Sequence, residues 1–195
     1  MKLFRFPLTL AFSLLLSACA APHAVTINPS VIPISNNALL SPKKVAYVMT
    51  DTDRNKQVTT NGGGGDTINY FPYRDLEKGI RDALRAVYTD VSIIKSPTDM
   101  KSIQENGLSF IFAPEIHTSS KSESSFTWPP TQFTIELSCD VTDSNGKIIS
   151  RIRVIGNGTA EFSEFKSDFG LAGRRAAADA STKLKQEISN NPLLH

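Results

Sequence analysis

Asp51-Thr-Asp-Arg-Asn55 presents side-chain oxygens at alternate positions, the arrangement from which calcium loops are built. Such a loop needs glycine at its sixth position and a bidentate glutamate at its twelfth. Lys56 and Gly62 stand there instead, so calcium is not expected. Asn61-Gly-Gly-Gly-Gly-Asp66 has the glycine content of a phosphate cradle, whose backbone N–H groups can approach an anion closely. No Gly-Lys-Ser/Thr follows it and the next helix begins several residues later, so Gly62 to Gly65 read as a flexible loop. His23, His117 and His195 lack metal-ligand spacing. Ser119-Ser120 beside His117 has no identifiable orienting acid, and no Gly-x-Ser-x-Gly elbow occurs. The expectation is therefore a non-enzymatic chain with no metal and no cofactor.

The two cysteines fall in different contexts. Cys19 follows Lys2 and Arg5, an apolar run from Phe6 to Leu16 too short to span a bilayer, and the small pair Ser17-Ala18. Leu16-Ser-Ala-Cys19 resembles the bacterial lipobox, whose cysteine becomes the first residue and carries lipid. That resemblance implies removal of residues 1–18, attachment at Cys19 and, because Ala20 is not acidic, residence in the outer membrane on its periplasmic face. The alternative is an ordinary leader cut near Ala18 or Ala21, which exports the chain without anchoring it. Lys+Arg number 21 against 19 Asp+Glu, and the leader holds two of the bases and no acid, so maturation takes the net charge from +2 to 0. A neutral body offers no global field for nucleic acid or an anionic surface. Cys139 is then left without an internal disulfide partner. It shares the apolar face of a strictly alternating stretch with Phe133, Ile135, Leu137 and Val141, so it reads as a small buried hydrophobe.

The elements that must position these residues follow from periodicity. Four prolines between 20 and 42 suggest a tether (residues 19–42), with Ala24 to Ile27 available as an edge strand. A single domain over 43–191 is expected. Its first strand runs Lys44 to Thr50, and a polar mobile loop covers 51–70. Pro72 opens a helix whose stripe is Leu76, Ile80, Ala83, Leu84 and Val87, with Asp75 and Glu77 at its positive end and Gly79 allowing close contact with the sheet. Strands follow at 90–95 and 108–116, with a short helix at 97–105 between them. A solvated loop covers 117–125, and strands at 131–142 and 147–162 are joined by the Asp143-Ser-Asn-Gly146 turn. Gly156 and Gly158 mark a bulge or bend. A final helix is capped by Ser167, carries Asp168 in its first turn, and turns Gly173, Ala176, Ala177, Ala180, Leu184 and Ile188 inward. The sum is an α+β two-layer sandwich: a mixed sheet of about five strands with two main helices on one face.

Phe126-Thr-Trp-Pro-Pro130 is the candidate contact segment, since rigid aromatic anchors are favoured at interfaces; Trp128 could equally fold back over the sheet edge. Arg151 and Arg153 project on one side of the last strand, either as a solvated face or as a strip for acidic groups. The lipobox, Thr26-Ile-Asn-Pro29, the Asp-Leu-Glu helix opening at 75–77, Phe-Ala-Pro-Glu at 112–115, the Val-Thr-Asp to Gly-Lys hairpin at 141–147 and the alanine-rich last helix together resemble the YajG-like bacterial envelope lipoproteins. The resemblance implies an outer-membrane lipoprotein and supplies no catalytic residue. The functional expectation is a lipid-anchored periplasmic subunit that binds an envelope protein partner. The alternatives are a module for lipid, lipopolysaccharide or peptidoglycan, and an unrecognised hydrolase.

Overall fold

The computed structural model describes residues 21–29, 39–165 and 168–195. The expected leader, Cys19 and Ser167 lie outside the described residues. Five strands make the main sheet: β2 (Ser41–Val48), β5 (Tyr88–Ile94), β6 (Phe110–Lys121), β7 (Gln132–Asp143) and β8 (Ile148–Thr159), in the order β5-β2-β6-β7-β8. The first three are parallel and the last three form an antiparallel meander. Between them come α1 (Asp51–Arg54), β3 (Val58–Asn61), β4 (Thr67–Tyr70), α2 (Pro72–Arg85) and α3 (Met100–Glu105); α4 (Leu171–Asn190) closes the chain order. The expected α+β architecture, with α2 and α4 on one sheet face, is what the chain adopts. The short α3 covers a second small cluster of Ala46, Ile94, Ile103, Leu108 and Ile111.

Alternation explains the layering. Phe133, Ile135, Leu137, Cys139 and Val141 of β7 are buried, while the residues between them stay partly exposed. The stripes expected on α2 and α4 are likewise buried, from Leu76 to Leu84 and from Gly173 to Ile188. Small residues on α4 let it lie almost on the sheet. A Cβ at Gly156 would meet the Ala176 carbonyl at 2.2 Å, and one at Gly158 the Ala172 carbonyl at 2.0 Å. The pairing of β7 with β8 runs unbroken through both glycines. They serve helix docking, then, and not the bend expected from sequence. Gly79 also makes a close contact, but with Ser181 of α4 and Pro29 and not with the sheet.

The edge strand β8 is sealed along half its length by α4. Asn157 N–H donates to Asp179 Oδ2 at 2.9 Å, Lys183 Nζ donates to the Ile155 carbonyl at 2.8 Å, and Arg175 Nη1 donates to the Thr159 carbonyl at 2.8 Å.

Three other expectations need correction. Residues 51–70 are not a loop: α1 and the β3–β4 hairpin occupy them. A capping box at Thr50 starts α1, with Asp53 N–H donating to Thr50 Oγ1 at 3.0 Å and Thr50 N–H donating back to Asp53 Oδ2 at 3.0 Å. The segment 117–121 continues β6, held on β7 by the pairing of His117 with Glu136 through Lys121 with Gln132. Finally α4 begins at Leu171 behind Gly170, so Asp168 precedes it and pairs with Arg174.

Residues 21–29, within the expected tether, are structured. β1 (His23–Ala24) adds parallel to β4, giving a second sheet of order β1-β4-β3. Ile27 is wholly buried beside Gly173. Asp75, only 3 % exposed, accepts the Ile27 N–H at 3.1 Å, and the Asn28 side-chain amide lies against the same carboxylate, to which its nitrogen donates once the amide is turned to match its neighbours. Burial pushes the Asp75 carboxyl up, against the pull of that N–H and of Arg74.

Candidate functional site

Three connections and one short strand meet at a single end of the long strands. They are the β3–β4 turn, the β6–β7 loop, the β8–α4 connection and β1. The β6–β7 loop carries Phe126-Thr-Trp-Pro-Pro130, and the quadruple-glycine turn is its seat. Gly63 N–H donates to the Trp128 carbonyl at 2.8 Å and Gly64 N–H to the Ser124 carbonyl at 3.1 Å. A Cβ at Gly63 would stand 1.9 Å from the Thr127 carbonyl. The glycines are thus needed because two backbones touch there, a role that the reading as a flexible loop missed.

Trp128 is half-buried against the main core. His23 stacks on it, with ring centroids 4.0 Å apart and planes 15° from parallel, and Phe169 packs at 4.7 Å. Phe126, Trp128, Pro129, Phe162, Phe165 and Phe169 line an open groove of about 260 Å³. Phe126 is 98 % exposed, Phe162 67 % and Phe169 46 %. Sequence reasoning found Phe126 and Trp128. It missed Phe162 and Phe169, which lie more than thirty residues downstream and join the cluster only because β8 returns to the same end.

Arg151 and Arg153 lie elsewhere. Arg151 sits eight residues back along β8 from Thr159, about 27 Å at the usual rise. On the open sheet face Arg151 Nε pairs with Asp140 Oδ1 at 3.1 Å and Arg153 Nε with Glu136 Oε1 at 2.7 Å. Each arginine is balanced by its own acid across the β7–β8 ladder, as on a solvated face.

The remaining candidates are dispersed. His23, His117 and His195 contact Trp128, Glu115 and the Ser189 carbonyl respectively. Among the described residues no three His, Cys, Asp or Glu side chains are grouped as a metal site would require. Asp53 is used in the Thr50 cap, and Asp51 faces Arg54 at 3.1 Å. Arg54 also grips Glu77, at 2.7 and 2.8 Å, and holds its carboxyl below the usual carboxylate range; Tyr47 donates to the same group at 3.2 Å. The Cys139 thiol, buried on the apolar face as expected, is pushed up to about 12 by desolvation. Each of these shifts has a local structural cause, and the groups do not converge on a cleft. No helix of the described residues is long and apolar enough to cross a membrane.

No family model and no curated relative matches the chain. Solved structures resemble the chain at a distance. A PelC dodecamer from Paraburkholderia phytofirmans is 14 % identical, with a TM-score of 0.47 over 76 % of this chain and 91 % of that one. A Xanthomonas campestris protein of the DUF330 family is 13 % identical, with a TM-score of 0.41 over 87 % and 96 %. A candidate lipoprotein from Caulobacter crescentus is 13 % identical, with a TM-score of 0.38 over 73 % and 85 %.

Proposed function

We propose that the chain is a YajG-like outer-membrane lipoprotein, anchored through Cys19, whose periplasmic body binds and does not catalyse, serving as a subunit of an envelope assembly. The observation that carries the reading as a binding body is the uncovered aromatic end. Phe126, Phe162 and Phe169 spend large apolar surfaces on solvent around Trp128, and contiguous patches of that kind mark interaction sites on folded domains. The groove is open to solvent, which favours a surface partner over an enclosed ligand.

The test has two parts. Mass spectrometry of the mature protein from its native membrane should show residue 19 as the first residue, diacylglyceryl-modified; an unmodified amino terminus ends the anchoring half of the proposal. Affinity capture from crosslinked membranes should return a reproducible set of envelope proteins, and enrichment no greater than that of an unrelated lipoprotein ends the assembly half.

A further inference from the structure

We propose that the aromatic end of the body rests on the bilayer that receives the anchor, with Phe126, Trp128, Phe162 and Phe169 in its interfacial layer. The inference builds on lipid attachment at Cys19 and names the partner of the aromatic surface as lipid, not protein.

The leash decides the geometry. The sequence suggests a tether from 19 to 42 that could lift the body far from the membrane, but His23 is already fixed to the body. It pairs with Ile68 in the β1–β4 ladder and stacks on Trp128 at 4.0 Å. Only three residues, Ala20 to Pro22, lie between it and Cys19, and the four steps fully extended reach about 14 Å. The tryptophan therefore cannot leave the neighbourhood of the lipid-bearing residue while β1 stays paired. Each interfacial layer of a bilayer is roughly 5–8 Å deep, so surfaces beside His23 lie within reach of it.

The chemistry of that surface suits the layer. Phenylalanine rings offer apolar area, and an indole combines an apolar body with one N–H donor, the combination that concentrates tryptophan and tyrosine at membrane interfaces. The charges around the cluster do not favour an electrostatic dock: Asp168 is paired with Arg174 and Glu164 with Arg175, while Asp66 faces His23 at 3.8 Å. Seating the aromatic end on lipid keeps Arg151 and Arg153, on the far half of β8, off the bilayer.

Trp128 is the sole tryptophan and reports on its own surroundings. The purified mature lipidated chain is reconstituted in phosphatidylcholine vesicles whose acyl chains carry bromine at shallow positions, and in matched unbrominated vesicles, and floated to select bound protein. The expected result is loss of Trp128 emission in the brominated vesicles alone, with a blue shift relative to detergent-free buffer. The variant carrying Phe126→Asp and Phe162→Asp, held on the vesicles by its lipid, should recover the unquenched emission. Equal emission from floated wild-type protein in both vesicle types overturns the proposal and returns the patch to a protein partner or a second copy. Quenching that survives both aspartates also overturns it, since proximity would then owe nothing to the aromatic contact. Both phenylalanines are highly exposed, and should the double variant fail to fold, the wild-type comparison decides alone. A protein that carries no lipid and does not float fails the anchoring reading first, a result separate from bound but unquenched protein.

Discussion

Gly63→Ala is the sharpest probe of how the aromatic loop is held. The added methyl carbon would sit 1.9 Å from the Thr127 carbonyl oxygen and 2.9 Å from Ser122 Oγ. The serine can rotate away; the carbonyl belongs to backbone and would have to retreat by about 1.5 Å to reach ordinary contact. Overpacking of this kind costs roughly 1–3 kcal/mol. The same retreat stretches the Gly63 N–H to Trp128 carbonyl bond, whose net contribution is about 0.5–1.5 kcal/mol. A total near 2–3 kcal/mol lowers Tm by roughly 4–12 °C in a domain of this size. If the loop swings off its seat instead, the global loss is smaller, but the indole leaves His23 and Phe169 and its emission moves to the red. Thermal unfolding by circular dichroism and Trp128 fluorescence on the same samples separate the two responses. Gly146→Ala is the control: its glycine has φ +81° with nothing within 4 Å, so it should cost about 1–2 kcal/mol of backbone strain and leave Trp128 emission unchanged. A Gly63→Ala protein with wild-type Tm and wild-type emission would refute the view that the glycine turn is a seat for this loop.

Other expectations follow from the same geometry. Asp75→Ala strands the buried Ile27 N–H, so it should cost about 1–3 kcal/mol and expose residues 23–29 to proteolysis and hydrogen exchange; unchanged protection there would contradict the clamp. Glu77 has a folded-state pKa depressed chiefly by the Arg54 hydrogen bond. Its stabilisation is therefore complete above the ordinary carboxylate range and is lost as pH falls through the depressed value, so Glu77→Gln should flatten that part of the acid limb in denaturant midpoints measured against pH. Gly156→Ala drives a methyl group into the Ala176 carbonyl and the Ala180 backbone and should lower stability by about 1–3 kcal/mol in urea unfolding. Cys139 should resist thiol reagents in the native protein and react only on unfolding, because the thiolate is both buried and disfavoured.

The parts of the fold legible in the sequence were those with a repeated signal. The alternation from Phe133 to Val141 and the four-three spacing of α2 named their buried faces, and the alanine-rich stripe of α4 named the closely docked one. The Thr50 to Asp53 capping box was present in the sequence as Thr-x-x-Asp, yet the polarity of 51–70 outweighed it and a helix and a hairpin were missed. Glycine proved hardest to read. Gly62, Gly63, Gly156 and Gly158 all look like flexibility or bends in one dimension, and all four are places where a second backbone touches, information that lies in the partner and not in the glycine. The aromatic cluster was half legible for the same reason: Phe126 and Trp128 share a loop, whereas Phe162 and Phe169 enter through topology.

For a chain anchored as proposed, the seal that Arg175, Asp179 and Lys183 place on β8 has a further consequence. Anchored molecules share two dimensions, and their collision frequency far exceeds that of the same number dispersed in a volume. A bare strand margin under those conditions invites neighbours to zip together irreversibly. With three side chains spaced one turn apart occupying outward backbone groups over half of the strand, the bare template left to that crowd on this side is cut to the other half.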